Sequence, residues 1–191
     1  NTAIVLTTDH YPYALEKSAA WGSGGNALEE LYGQKVTDCF IRDHSTLIIW
    51  SKALEEKDIV VEEPVFSLDL VPTLSNLFGL EFDSRLFSGR DILSTNYNVA
   101  DPNSPQPFVI GADAGIGSNW STLAGSYDAH SKVFTPNPGY EDYADDQDYI
   151  NAMCKKAKNM FKYSKNLLSK NYYKIVSDAL DAAEVTPTPE P

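Results

Sequence analysis

The chain opens on an apolar segment, Ala3-Ile4-Val5-Leu6, which runs through Thr7-Thr8 into Asp9-His10 and halts at Tyr11-Pro12. Residues 2–8 read as a strand whose apolar residues do not alternate with polar ones. A strand of that kind is buried on both faces, as in a parallel sheet covered by helices on either side. Pro12 cannot donate to a central ladder, so the strand ends before it. Asp9 and His10 therefore stand at a carboxyl end, the edge where open α/β sheets bind ligands. Neighbours in mid-strand point to opposite faces, and both reach one ligand only where the backbone turns.

The elements that follow are marked by local chemistry. The loop "WGSGG" at 21–25 is rich in glycine, and Asn26 is placed to cap a short helix over Ala27–Tyr32 that Gly33 ends. Strands are expected at 45–50 ("STLIIW") and 58–62 ("DIVVE"). In "SLDLVPTLSNLFG" the cap is Asp69 rather than Ser67. Only then does Pro72 fall in the first turn, where its missing N–H is not needed. Leu70, Leu74, Leu77 and Phe78 should share a face of that helix, and Gly79 should close it. Residues 85–93 read as a loop and 98–107 as a Pro/Asn-rich linker. "FVIGA", "WSTLAG" and "YDAHSKVFT" then suggest a small antiparallel sheet. A loop at 137–148 leads to a long helix over about 146–170 with a stripe of Ile150, Met153, Cys154, Ala157, Met160, Phe161, Leu167 and Leu168. A shorter helix is expected at 172–183, and "VTPTPEP" reads as an extended linker.

At 191 residues, 42% of them hydrophobic, the chain is long enough for one sizeable core. No apolar run approaches the ~20 residues that cross a bilayer. Asn1 carries no basic n-region of a signal peptide, and both ends read as cuts from a longer chain. The net charge of −12 argues against nucleic acid as a partner. An anionic substrate would need a local reversal of that field, which a metal ion supplies. Cys39 and Cys154 fit no metal-binding spacing, leaving open two thiols or one disulfide.

On the dipeptide alone two readings of Asp9-His10 are open. A carboxylate oxygen and an imidazole nitrogen suit zinc or manganese. Equally, Asp9 caps a turn and His10 packs against it. Among the other candidates, Thr7 and Thr8 lie within the expected strand, and His44 and His130 read as surface or packing residues. Trp21 and its glycines form either a lid or an ordinary loop. The sequon Asn119-Trp120-Ser121 and the basic stretch from Lys155 to Lys170, facing anionic lipid or polymer or simply solvent, complete the set.

Three motifs in order, Asp9-His10, Asp69-Leu70-Val71-Pro72-Thr73 with Gly79, and Gly89-Arg90-Asp91-Ile92, resemble the carboxy-terminal half of the alkaline phosphatase/sulfatase superfamily. Within it the likeness is to the lipoteichoic acid synthase group of phosphoglycerol transferases. The motifs cover about residues 2–95, and the later sheet and long helix match that group in element order. The resemblance implies part of an α/β/α sheet domain followed by a small antiparallel sheet and a long C-terminal helix. Residues 1–97 would be the later half of the catalytic domain, 98–183 its sheet and helices, and 184–191 a linker. It implies a divalent cation on Asp9 and His10, manganese first, with zinc, magnesium or calcium as alternatives. The substrate implied is a phosphodiester such as phosphatidylglycerol, attacked by a threonine that this family carries upstream, so Thr7 and Thr8 do not take that role. The full protein would be anchored, through its missing N-terminal part, at the extracellular face of a bacterial membrane, and the chain alone would be inactive. A sulfatase, acting on sulfate esters, and a non-catalytic cell-surface module of the same fold remain alternatives. The first strand should lack a neighbour and leave apolar surface that favours self-association.

Overall fold

The computed structural model describes residues 2–13, 15, 27–52, 54, 55, 57, 59–113 and 117–184, apart from the side chains of 112, 113, 117, 183 and 184. The loop at 21–25, the cap at Asn26 and the tail beyond 184 lie outside the described residues. The fold is mixed α/β, with a two-stranded and a four-stranded antiparallel sheet and a long helix near the C-terminus. The chain divides into two compact units, residues 1–62 with 111–113, and residues 63–110 with 114–191.

In the first unit β1 (Ala3–Leu6) pairs antiparallel with β2 (Ile48–Ser51), placing Ile4 opposite Trp50 and Leu6 opposite Ile48. The expected parallel strand buried on both faces is therefore corrected. Residues 3 and 5 of β1 are half-buried, but Ile4 is 47% exposed and Leu6 57%, facing Trp50 at 41% and Ile48 at 50%. An unalternating apolar run shows that both faces are apolar, but it does not set the direction of the partner strand. The strand expected at 58–62 is absent among the described residues: 59–62 is irregular, with Ile59 and Val60 exposed. Among the described residues it pairs with no strand, and propensity alone does not make one.

Helix α1 (Ala27–Tyr32) buries Leu28 and ends at Gly33, whose φ of 65° suits a residue without a Cβ. A second short helix, α2 (Cys39–Arg42), is capped by Asp38, whose carboxylate accepts from Ile41 N at 2.9 Å. The Tyr32 hydroxyl donates to the Arg42 carbonyl at 2.7 Å and ties α1 to α2.

In the second unit a 3-10 turn, Ser67–Asp69, leads into α3 (Leu70–Leu77). Pro72 sits in the first turn, as its missing N–H requires. Gly79, at φ 65°, closes the helix. Gly79 N donates to Asn76 O at 3.1 Å and Leu80 N to Ser75 O at 2.8 Å, the paired bonds of a Schellman end. The buried side of α3 is not the expected leucine face. Pro72, Thr73 and Ser75 are buried, the three leucines are half-buried, and Phe78 is 53% exposed.

The four strands of the second sheet, β3 (Phe108–Asp113), β4 (Gly117–Thr122), β5 (Gly125–Asp128) and β6 (Val133–Pro136), lie in chain order. "YDAHSKVFT" is a hairpin rather than one strand, turning through Ala129–Lys132 with Lys132 at φ 60°. Fully buried Trp120 stacks on Tyr127 at 5.4 Å and Phe134 at 5.5 Å. Above this sheet packs α4 (Gln147–Ser169), started by Asp146, which accepts from Tyr149 N at 2.9 Å. Ile150, Met153, Ala157 and Leu167 face the interior as the stripe predicts, and Tyr149 joins them. Phe161 and Leu168, expected in the stripe, are 51% and 70% exposed, because the core cluster ends with Ala157 and half-buried Met160. Asn171, at φ 48°, turns the chain into α5 (Tyr172–Glu184).

Candidate functional site

The turn after β1 carries Asp9 and His10. The strand stops at Leu6, so Thr7 and Thr8 lie beyond it rather than inside it, both exposed, with Thr7 Oγ1 donating to Thr8 O at 3.5 Å. His10 Nδ1 lies 2.7 Å from the Tyr11 carbonyl oxygen. A carbonyl only accepts, so Nδ1 is the donor in this bond and Nε2 is the ring nitrogen left to face outward. Nε2 lies 3.5 Å from Asp9 Oδ2. The imidazole stacks on Tyr13, with centroids 4.1 Å apart and planes 9° from parallel, and Tyr13 in turn meets Tyr11 edge-on at 4.9 Å. Arg42 stands over Tyr11 at 5.0 Å and grips Asp43 through two bonds of 2.7 and 3.0 Å. Those bonds to Asp43 push the guanidinium still further above its ordinary range.

The Asp9 side chain is 87% exposed and that of His10 is 44% exposed. The turn thus offers one carboxylate oxygen and one imidazole nitrogen to the same patch of solvent. This arrangement fits a cation, since ligating histidines donate their other N–H to a carbonyl or carboxylate. Two donors are half of a tetrahedral set. No group of three or more His, Cys, Asp or Glu able to hold a metal occurs among the described residues.

The other two motifs meet within the second unit. Asp69 is 3% exposed, and its Oδ1 accepts from Arg90 N at 2.8 Å while Oδ2 accepts from Phe66 N at 2.9 Å. Thr73 Oγ1 donates to Asp69 O at 2.6 Å and accepts from Ile92 N at 3.0 Å. Gly89 lies flush against the 3-10 turn, where a Cβ would come within 2.1 Å of Leu68 O. Asn76 Nδ2 adds a bond to Asp91 Oδ2 at 3.0 Å. Burial pushes the Asp69 carboxyl above its ordinary pKa, against the pull of the two backbone donors. This network clamps residues 89–92 onto the start of α3, so the work of these motifs is structural. Beside it Arg90 lies over the Tyr97 ring at 5.6 Å, and the Tyr97 hydroxyl donates to Glu63 at 2.9 Å. Burial and that carboxylate raise the phenol's pKa.

The remaining candidates fall away from any cluster. His44 is exposed, and His130 sits exposed in the β5–β6 turn rather than in a strand. Asn119 is 7% exposed, and its Oδ1 accepts from Ala129 N at 2.8 Å, so the sequon amide serves the sheet. Both cysteines are thiols, and Cys154 accepts from Trp120 Nε1 at 3.4 Å. Trp21 lies outside the described residues. No helix among the described residues is long and apolar enough to cross a membrane.

With this geometry in view, comparison places the chain as a distant relative of lipoteichoic acid synthases. It is 26% identical over 109 residues to the lipoteichoic acid synthases of Staphylococcus aureus strains USA300 and NCTC 8325. That stretch is 57% of this chain and 16% of each synthase, so the match spans a small part of the relatives' length. No family model matches the chain, and no solved structure matches it.

Proposed function

We propose that this chain is one part of a metal-dependent phosphoglycerol transferase of the lipoteichoic acid synthase kind. Its substrate is a phosphatidylglycerol-type phosphodiester at the outer face of a bacterial membrane, to which the rest of the protein anchors it. One observation carries the reading: Asp9 Oδ2 and His10 Nε2 converge to 3.5 Å at an exposed turn. Asp9 presents the oxygen donor. His10 presents Nε2 as the nitrogen donor, with Nδ1 engaged by the Tyr11 carbonyl and the ring steadied by Tyr13. Manganese is the first choice for the ion, with zinc, magnesium or calcium next. A bound divalent ion would lower the pKa of an attacking hydroxyl and offset charge on the phosphoryl oxygens. The nucleophile and the other ligands come from polypeptide outside this sequence, so the chain alone is inactive.

The test uses the full-length protein. Asp9→Ala and His10→Ala should each lower phosphodiester turnover by more than about a hundredfold, since loss even of partners behind the ligands costs ~10–100-fold. Metal retained after dialysis should fall in parallel, while thermal unfolding shifts little because both side chains are exposed. Unchanged turnover and unchanged metal content would remove the reading.

A further inference from the structure

The turn at residues 9–13 is weakly braced for a part that presents ligands. It follows a strand of four residues, and Asp9, His10, Pro12 and Tyr13 are all exposed. Exposed turns are where local opening costs least. Two contacts act on the His10 ring directly. The Tyr11 carbonyl accepts from Nδ1 at 2.7 Å, and the Tyr13 ring stacks on the imidazole at 4.1 Å. Both partners belong to the turn and move with it. The link outward is the Tyr11 ring, which meets Tyr13 edge-on at 4.9 Å and has the Arg42 guanidinium over it at 5.0 Å. A cation in that place is attracted by the negative face of the ring.

Arg42 comes from a stiffer part of the same unit. It is the last residue of α2, and its N donates to Asp38 O at 3.2 Å while its carbonyl accepts from the Tyr32 hydroxyl at 2.7 Å. Cys39, at the other end of α2, is buried, and a Cβ on Gly111 would come within 2.5 Å of its Sγ, so the helix is seated without spare room. Asp43 accepts from Arg42 Nε at 2.7 Å and from its second terminal nitrogen at 3.0 Å. Paired bonds of this kind fix the plane of the guanidinium. A lone surface ion pair contributes little to stability. This one is directed: it aims one face of the guanidinium at Tyr11, and the Arg42 side chain is only 26% exposed.

We propose that Arg42, oriented by Asp43, is a positioning residue for His10. It pins the Tyr11 ring, which restrains the residue that carries it, and so keeps the Tyr11 carbonyl and the Tyr13 ring on the imidazole. α2 thereby lends its fixed place to a turn that has little of its own. The proposal deepens the metal-centred reading and rests on it. Arg42 touches neither ion nor substrate in this role, because its fork is taken by Asp43.

Two measurements test it. In the metal-free chain, carbon-13-labelled histidine gives three ring signals, from His10, His44 and His130. Arg42→Met and Tyr11→Leu should each shift the His10 signal, as the Tyr13 ring leaves its stack, and leave that of His130 in place. In the full-length protein, calorimetric titration with manganese should show affinity weakened by about three- to tenfold in either variant. The double variant should be no weaker than the worse single one, because the two side chains make one contact. Arg42→Lys, which keeps the charge and loses the fork, should fall between wild type and Arg42→Met. Arg85→Met breaks a similar fork, on Asp83, in the second unit and should leave affinity unchanged. Saturating manganese should restore turnover in Arg42→Met and not in His10→Ala. Asp43→Asn loosens the fork from outside α2 and should reproduce both effects in direction, which covers the case in which Arg42→Met does not fold. An unmoved His10 signal and unmoved affinity in these variants, with binding abolished in His10→Ala, would overturn the proposal and leave the metal reading standing. Unmoved affinity in His10→Ala would remove the metal reading and this proposal with it.

Discussion

Asp69 shows why a buried carboxylate can be necessary to the fold and costly to it at once. Its two oxygens satisfy two backbone donors, Phe66 N and Arg90 N, that would otherwise be orphaned in the interior. Asn can offer an oxygen to only one of them and turns its NH2 on the other. Asp69→Asn should therefore lower stability by about 1–3 kcal/mol even though it removes a buried charge, read as a lower midpoint in urea. The pH dependence has a definite sign. The folded pKa lies above the unfolded value of about 3.9, so between the two the native state holds more protons. Wild-type stability relative to Asp69→Asn should fall as pH rises through that window and stay level above it. The sequence alone marked Asp69 as a helix start and Pro72 as a first-turn residue. Its reach across to Arg90, 21 positions on, has no local signature. At His10 the side chain was legible and its partner was not: the Tyr11 carbonyl engages Nδ1, and that depends on the turn's geometry.

Elements with strong internal punctuation were legible, and those defined by a distant partner were not. α4 could be read from its stripe, and α3 from Pro72 and Gly79, because period and punctuation are local. The ribbon β1–β2 was misread as parallel because register and direction come from the strand 45 positions away, as Leu6 pairs with Ile48 while Ile4 pairs with Trp50. "DIVVE" has strand composition and no ladder. The ribbon also carries a consequence for association. Ile4, Leu6, Ile48 and Trp50 form adjoining exposed apolar pairs, the kind of surface that sticks to another copy. The isolated chain should self-associate at high concentration. Leu6→Lys with Trp50→Lys should shift it toward monomer in light scattering without loss of circular dichroism. A monomer in wild type would show that this surface is inert.

At the scale of the molecule, two compact units each carry part of what the motifs announced. The Asp9-His10 turn belongs to the first, and the clamp between α3 and residues 89–92 to the second. The Asp9-His10 pair of the candidate site was legible because a strand end and a proline are local facts. Any further ligands would not be legible this way, because cation ligands are gathered by tertiary structure from segments that share no sequence neighbourhood. The charge total and the basic run from Lys155 to Lys170 within it were both legible, because charge along a helix is read directly from the residues.

The clamp at Asp69 makes two segments fail together. A carboxylate that holds the amides of Phe66 and Arg90 cannot release one while leaving the other's surroundings intact, since Thr73 binds Ile92 from the next turn and Gly89 is seated against Leu68. Deuterium should enter the amides of Phe66, Arg90 and Ile92 in a single cooperative opening, slower than at the exposed ends of α3. Widely separated exchange rates at these three would mean that the helix start and the loop breathe independently.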